Sequence, residues 1–297
     1  MVDKWKNYQI LARDFLDAGD NKEALNAYLK AVDFAPNKEE LANVYFAIAD
    51  LYWQEDKRTQ AAKYYRKIQR LGEYAGAEYG LGVFAQEEGD IVEAVGHFEY
   101  ALMIDPDYES ACYELALLND RIGYKDRALE LFERCAELVP DNGVVYSDMA
   151  SIYEERKEYK KALALAEKAV ALSPAYSIGY YNLGVIYQKT FKNEKALAAY
   201  EDALALDENY APTYLNMSAI YLRMKAPEKA IAILTEGIEK NLNSVNLYYN
   251  RSCSHMRLGE KEAAIRDLKR AIAINPHAKL WASRDVDLKE IVREVED

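Results

Sequence analysis

The chain has 297 residues, 51% of them hydrophobic and 30% charged, with a net charge of −12; it carries enough apolar material for a large core and too much to stay disordered. Residues 1–150 hold 16 Lys and Arg against 29 Asp and Glu, while 151–297 hold 22 against 21, so the acidity sits in the first half and argues against nucleic acid as a partner. The opening Met1-Val-Asp-Lys-Trp-Lys offers no apolar signal run, no 18-residue apolar window follows, and Cys112, Cys135 and Cys253 form neither a metal-type doublet nor an even disulfide framework; a cytoplasmic protein with no membrane span is expected.

Along the chain an alanine recurs at Ala24, Ala61, Ala94, Ala128, Ala162, Ala196, Ala230 and Ala264, at intervals of 37, 33 and then five times 34 residues. A fixed period of this size marks stacked supersecondary units. Eight emerge, at about 5–38, 42–75, 75–108, 109–142, 143–176, 177–210, 211–244 and 245–278. Numbered from 1 to 34 within each unit, position 8 is always small (Ala12, Ala49, Gly82, Ala116, Ala150, Gly184, Ser218, Ser252) and position 20 is the recurring alanine. Position 4 is aromatic at Tyr8, Tyr45, Tyr146, Tyr180, Tyr214 and Tyr248, and proline closes five units at Pro36, Pro106, Pro140, Pro174 and Pro276.

Apolar residues at positions 4, 7, 8 and 11, and again at 17, 20, 24 and 27, have helical spacing, so each unit predicts two amphipathic helices. The small side chains at 8 and 20 belong where the two helices cross closely. Position 15, often glycine (Gly19, Gly89, Gly123, Gly259), ends the first helix in a left-handed conformation, and the proline stops the second. Beyond Pro276, apolar Leu288, Ile291, Val292 and Val295 predict a closing helix over about 285–296 with Asp285 as its N-cap.

This arrangement resembles the tetratricopeptide repeat family over roughly residues 5–278, best in Tyr180-Tyr-Asn-Leu-Gly with Ala196 and Tyr200, and in Tyr248-Tyr-Asn-Arg-Ser with Gly259, Ala264 and Pro276. Glu78 and Cys112 at position 4, and Glu73, Glu208 and Leu242 in the proline column, depart from the family pattern. The resemblance implies an all-α, right-handed superhelical solenoid of antiparallel helix pairs, a single domain over residues 1–297. It also implies a scaffold or adaptor that binds a protein or peptide partner and takes no cofactor.

In such a solenoid the first helices line the concave face. Position 6 then gives Ile10, Ala47, Gly80, Glu114, Asp148, Asn182, Asn216 and Asn250, and a row of amides can satisfy the backbone of an extended peptide. Tyr181 and Tyr249 lie beside the row, and position 13 adds Lys189, Arg223 and Arg257, which suits a segment of partly acidic character. The family's carboxylate clamp is not matched, since the clamp columns of units six to eight read Tyr181, Val185, Asn216, Asn246 and Asn250. Acidic residues of the middle units (Glu87, Glu88, Asp90, Glu114, Asp120, Asp148) could steer a basic partner or only keep the surface soluble.

Catalysis is not expected. His97, His255 and His277 have no second ligand at metal spacing; His97 and His277 read as surface residues, and Cys253 and His255 point to different faces of one helix. The second function class is a structural subunit that self-associates through its ends or convex face into a homo-oligomer, separable from an adaptor by light scattering over a concentration series.

Overall fold

A computed structural model describes residues 3–295. Among these the chain is helical throughout, without strands, and divides after Pro140 into two compact units. The first contains α1 (Lys4–Asp17), α2 (Asn21–Ala31), α3 (Lys38–Gln54), α4 (Arg58–Gln69), α5 (Ala75–Glu87), α6 (Ile91–Ile104), α7 (Glu109–Arg121) and α8 (Lys125–Leu138). The second contains α9 (Gly143–Glu155), α10 (Tyr159–Leu172), α11 (Ser177–Lys189), α12 (Asn193–Leu206), α13 (Ala211–Arg223), α14 (Pro227–Lys240), α15 (Val245–Leu258), α16 (Lys261–Ile274) and α17 (His277–Arg284).

Each predicted unit is one antiparallel helix pair, and within both units of the fold every second helix packs on the first helix of the next repeat. The two small-residue columns are the crossing points. All eight position-20 alanines are fully buried, as are Ala12, Ala49, Ala116, Ala150 and Ser252 at position 8. Ser252 Oγ donates to the Ala264 carbonyl at 2.8 Å, tying position 8 directly to position 20. Where large aromatics fill the interface, glycine makes the room: a Cβ on Gly82 would lie 2.6 Å from the Phe98 ring, and one on Gly184 would lie 2.5 Å from Tyr200.

The turn after each first helix is left-handed in all eight repeats. Glycine supplies it at Gly19, Gly89, Gly123 and Gly259, but Asp56, Lys157, Phe191 and Lys225 adopt φ of 58–61° as well. The repeat geometry demands the conformation regardless of residue, so these four side chains sit in a region that costs L-residues roughly 1–2 kcal/mol each.

The closing segment differs from expectation. α17 occupies His277–Arg284, and the chain then runs through turns to a 3₁₀ turn at Val292–Val295, with no α-helix over 285–295; residue 296 lies outside the described residues. Asp285 is extended (φ −78°, ψ 133°), its Oδ1 accepts from the Asp287 amide at 2.8 Å, and its Oδ2 accepts from Tyr249 Oη at 3.1 Å. Asp285 thus has the N-cap geometry expected of it, and its carbonyl accepts one helical bond from the Lys289 amide at 3.0 Å, but the turn is not continued as an α-helix. The apolar residues still do the capping work, because Leu288, Ile291 and Val292 are buried against Cys253, Leu268 and Ala282.

Candidate functional site

The asparagine row lies wholly in the second unit. Asn182, Asn216 and Asn250 occupy equivalent positions on α11, α13 and α15, and each is half-buried. These three first helices are neighbours in space, α11 against α13 and α13 against α15.

Two of the amides reach one repeat backwards. Asn182 Nδ2 donates to Ser147 Oγ on α9 at 3.0 Å, and Asn216 Nδ2 donates to Tyr181 Oη on α11 at 3.2 Å. The acceptor comes from position 5 of the preceding repeat in both cases. For Asn250 the preceding repeat offers Leu215 at position 5, whose side chain has no polar atom, and Asn250 Nδ2 turns to the Asn246 carbonyl of its own helix at 2.8 Å. The row is therefore partly a set of inter-repeat staples, each leaving its Oδ1 for other work.

The flanking residues divide. Tyr181 is wedged between Tyr200 and Tyr210, at centroid distances of 5.9 and 5.0 Å, and burial raises its hydroxyl pKa. Tyr249 packs edge-on to Trp281 and bonds Asp285, so it anchors the closing segment. Lys189 lies 3.8 Å from Glu154, and Arg257 pairs with Asp287 at 2.8 Å. Arg223 is exposed and carries no ion pair among the described residues. Asp148, on α9, is half-buried near Tyr176, whose hydroxyl pKa it helps push up to about 12 after the larger effect of burial.

Several polar groups were less visible in the sequence. His97 is half-buried rather than exposed: its Nδ1 lies 2.7 Å from the buried Glu78 carboxylate, which also accepts from Gln69 Nε2 at 2.8 Å. This trio fills the space that an aromatic at position 4 takes in most repeats. Arg251, at position 7 where other repeats are apolar, makes a two-pronged ion pair with Asp267, with Nε and Nη2 both at 2.7 Å.

Cys253 and His255 have separate surroundings, His255 bonding Glu260 at 2.7 Å. The Cys253 thiol shares a 4.8 Å neighbourhood with Asp285 and Asp287, a loose metal-type grouping. Its carboxylates already serve Tyr249, Arg257 and a backbone amide, so as built it fastens the last repeat. His277 is exposed, as expected.

A further cleft, of about 340 Å³, opens in the first unit between α3, α4 and α5, lined by Asp50, Trp53, Gln54, Tyr65, Tyr79, Gly80 and Val83. Gly80 explains its shape, since a Cβ there would lie 2.5 Å from the Tyr65 ring; the ring lies flat on the α5 backbone and forms the floor. The one sequence sign was glycine at position 6, in a column otherwise largely polar.

No curated protein sequence matches the chain. Among solved structures it resembles a chain of the APC/C hetero-tetramer Cut9–Hcn1, with a TM-score of 0.64 and 18% identity over 93% of this chain and 53% of that one. It also resembles PilW, a type IV pilus biogenesis factor (TM-score 0.62, 18% identity, 73% of this chain and 98% of that one), and pilF of Pseudomonas aeruginosa (0.60, 18%, 74% and 97%). At these identities the likeness is one of fold. Five family models, each described as a tetratricopeptide repeat, match residues 46–109, 109–142, 142–209, 187–250 and 245–278. With repeats matched without a break from residue 46 to residue 278, the chain belongs to the tetratricopeptide repeat family.

Proposed function

We propose that the protein is a non-catalytic, cytoplasmic interaction scaffold that holds an extended segment of a partner protein along α11, α13 and α15. The observation that carries this reading is the asparagine row. Three amides at equivalent sites on adjacent first helices keep an acceptor oxygen each, and two are held in orientation by the preceding repeat. A ligand that supplies backbone N–H and C=O groups meets them whatever its side chains are. Arg223, the unpaired cation of the flanking set, favours a segment with an acidic side chain at that register. Three buried thiols and the lack of any helix long and apolar enough to cross a membrane among the described residues agree with this placement.

The test is an anisotropy screen of labelled, extended acidic peptides, repeated with Asn182, Asn216 and Asn250 all replaced by alanine. Binding should be lost in the triple variant, while unfolding shifts only by about 1 kcal/mol for each part-exposed bond removed. A triple variant that binds as the parent does would refute the proposal. Light scattering over a concentration series distinguishes this scaffold from a self-associating subunit, which would grow in mass with concentration.

A further inference from the structure

We propose that the cleft between α3, α4 and α5 is a socket for one cationic side chain, arginine or lysine, presented by a basic segment of a partner protein. It rests on the protein-binding reading only in that a partner carries the cation, and uses no residue of the asparagine row.

The walls are aromatic: Trp53, Tyr65 and Tyr79 line a space of about 340 Å³, and ring faces attract cations more than neutral groups of the same size. The indole already accepts a guanidinium, since Arg58 lies 4.1 Å from its centroid. That cation is neutralised in place by Glu87 at 3.0 Å and Asp56 at 3.3 Å, so it does not discharge the cleft.

The cleft's own carboxylate is Asp50. Its tip reaches water, and its one partner among the described residues is Tyr65 Oη at 3.5 Å, the outer limit of a hydrogen bond. No cation pairs with it, and crowding by its neighbours holds its pKa above the usual carboxylate range. An arriving ammonium or guanidinium would satisfy it.

The surroundings point the same way. Glu114 and Glu109 on α7 add negative potential at the Tyr79 hydroxyl, and residues 71–140 hold four basic side chains against 16 acidic ones. An anionic ligand would be repelled. A metal ion would find one carboxylate among phenols and an indole, too few hard ligands for a stable site.

The experiment uses the full-length protein and three blocked pentapeptides, Gly-Gly-X-Gly-Gly with X as arginine, lysine or citrulline, followed by ¹H–¹⁵N spectra. The arginine and lysine peptides should shift the Trp53 indole and the amides of residues 50–54 and 79–83 saturably, and citrulline, which keeps the shape without the charge, should not. Asp50→Asn should weaken binding about tenfold, the scale of one charge-assisted contact. Glu99→Gln, an exposed acid on α6, should leave it within about twofold, as expected for a diffuse surface charge. Equal binding of the citrulline peptide, or equal effects of Asp50→Asn and Glu99→Gln, would overturn the socket. The asparagine triple variant should bind the arginine peptide unchanged, so failure of either site is read separately.

Discussion

Two glycines of one repeat, Gly82 on α5 and Gly96 on α6, provide a test of how tightly the helix pairs are packed. Each lies inside a helix, so replacement by alanine brings the same gain in helix propensity, about 1 kcal/mol. Around Gly96 nothing lies within 4 Å of the added methyl, and that gain should appear undiminished. At Gly82 the methyl would sit 2.6, 2.7 and 3.0 Å from three Phe98 ring carbons. The ring is fully buried and must retreat by several tenths of an ångström with no space to enter. Overpacking of this kind costs about 1–3 kcal/mol, so Gly82→Ala should be neutral to destabilising where Gly96→Ala is stabilising. Because the propensity term is common to both, the difference between the variants measures packing alone. Urea unfolding gives the global effect, and hydrogen exchange of α5 and α6 amides localises it to this repeat. If Gly82→Ala raises the unfolding midpoint as far as Gly96→Ala does, the close crossing of the two helices is refuted.

Asp267→Asn should cost about 3–5 kcal/mol in calorimetry, because it strands the Arg251 guanidinium in a partly buried site; converting both residues to leucine or methionine should restore most of the loss. Phe191→Gly should raise the thermal midpoint by the equivalent of about 1 kcal/mol, since the phenyl ring is largely exposed and its backbone is left-handed (φ 58°). Burial, assisted by Asp285 and Asp287 against Arg257, pushes the Cys253 thiol from 9.0 up to about 12, and burial takes the Tyr214 hydroxyl from 10.0 to about 12. Both folded values lie above the unfolded ones, so the stabilisation is complete below pH 9 for the thiol and below pH 10 for the phenol. It is lost as pH rises toward 12, and alkaline unfolding followed by circular dichroism should fall in that window. For the same reason Cys253 in the native protein should resist iodoacetamide at pH 8, with mass spectrometry finding it labelled only after denaturation.

The helix pairs and their crossing points were legible because they rest on size and period. Alanine at position 20 and small residues at position 8 are needed wherever two helices approach closely, and a fixed step repeats that need eight times. The left-handed turn was legible only where glycine announces it; at Asp56, Lys157, Phe191 and Lys225 the stack imposes the conformation on residues that do not favour it. In the closing segment Asp285 has the expected N-cap geometry and Leu288, Ile291 and Val292 are buried as their helical spacing required, yet a single helical turn follows before the chain passes into a 3₁₀ turn. Helical spacing says which residues go inside, while the polar partners decide the backbone between them. His97 was misplaced at the surface because its partner, Glu78, is the exception in an aromatic column, and only three dimensions bring positions 4 and 23 of one repeat together.

The candidate sites show what a period can and cannot reveal. The asparagine row was found because it repeats, but repetition by itself does not separate a ligand face from a structural seam. The bonds from Asn182 to Ser147 and from Asn216 to Tyr181 show that the row is partly a seam; the free Oδ1 atoms and the unpaired Arg223 leave it able to act as a face as well. The socket at Asp50 was hidden for the opposite reason: it turns on Gly80 and Asp50, which no other repeat matches at those positions. Gly80 replaces a side chain so that Tyr65 can lie flat, and Asp50 holds a carboxylate that nothing in the fold neutralises. A side chain kept in a state unfavourable to the free protein has a reason outside the fold more often than inside it. That reasoning makes a last demand: Asp50→Asn, which removes a carboxylate whose pKa burial has raised, should leave the unliganded protein at least as stable at pH 7, since the charged form is the one the folded state disfavours there. Should the variant instead unfold more readily, Asp50 serves the fold, and the socket loses the argument that singles it out.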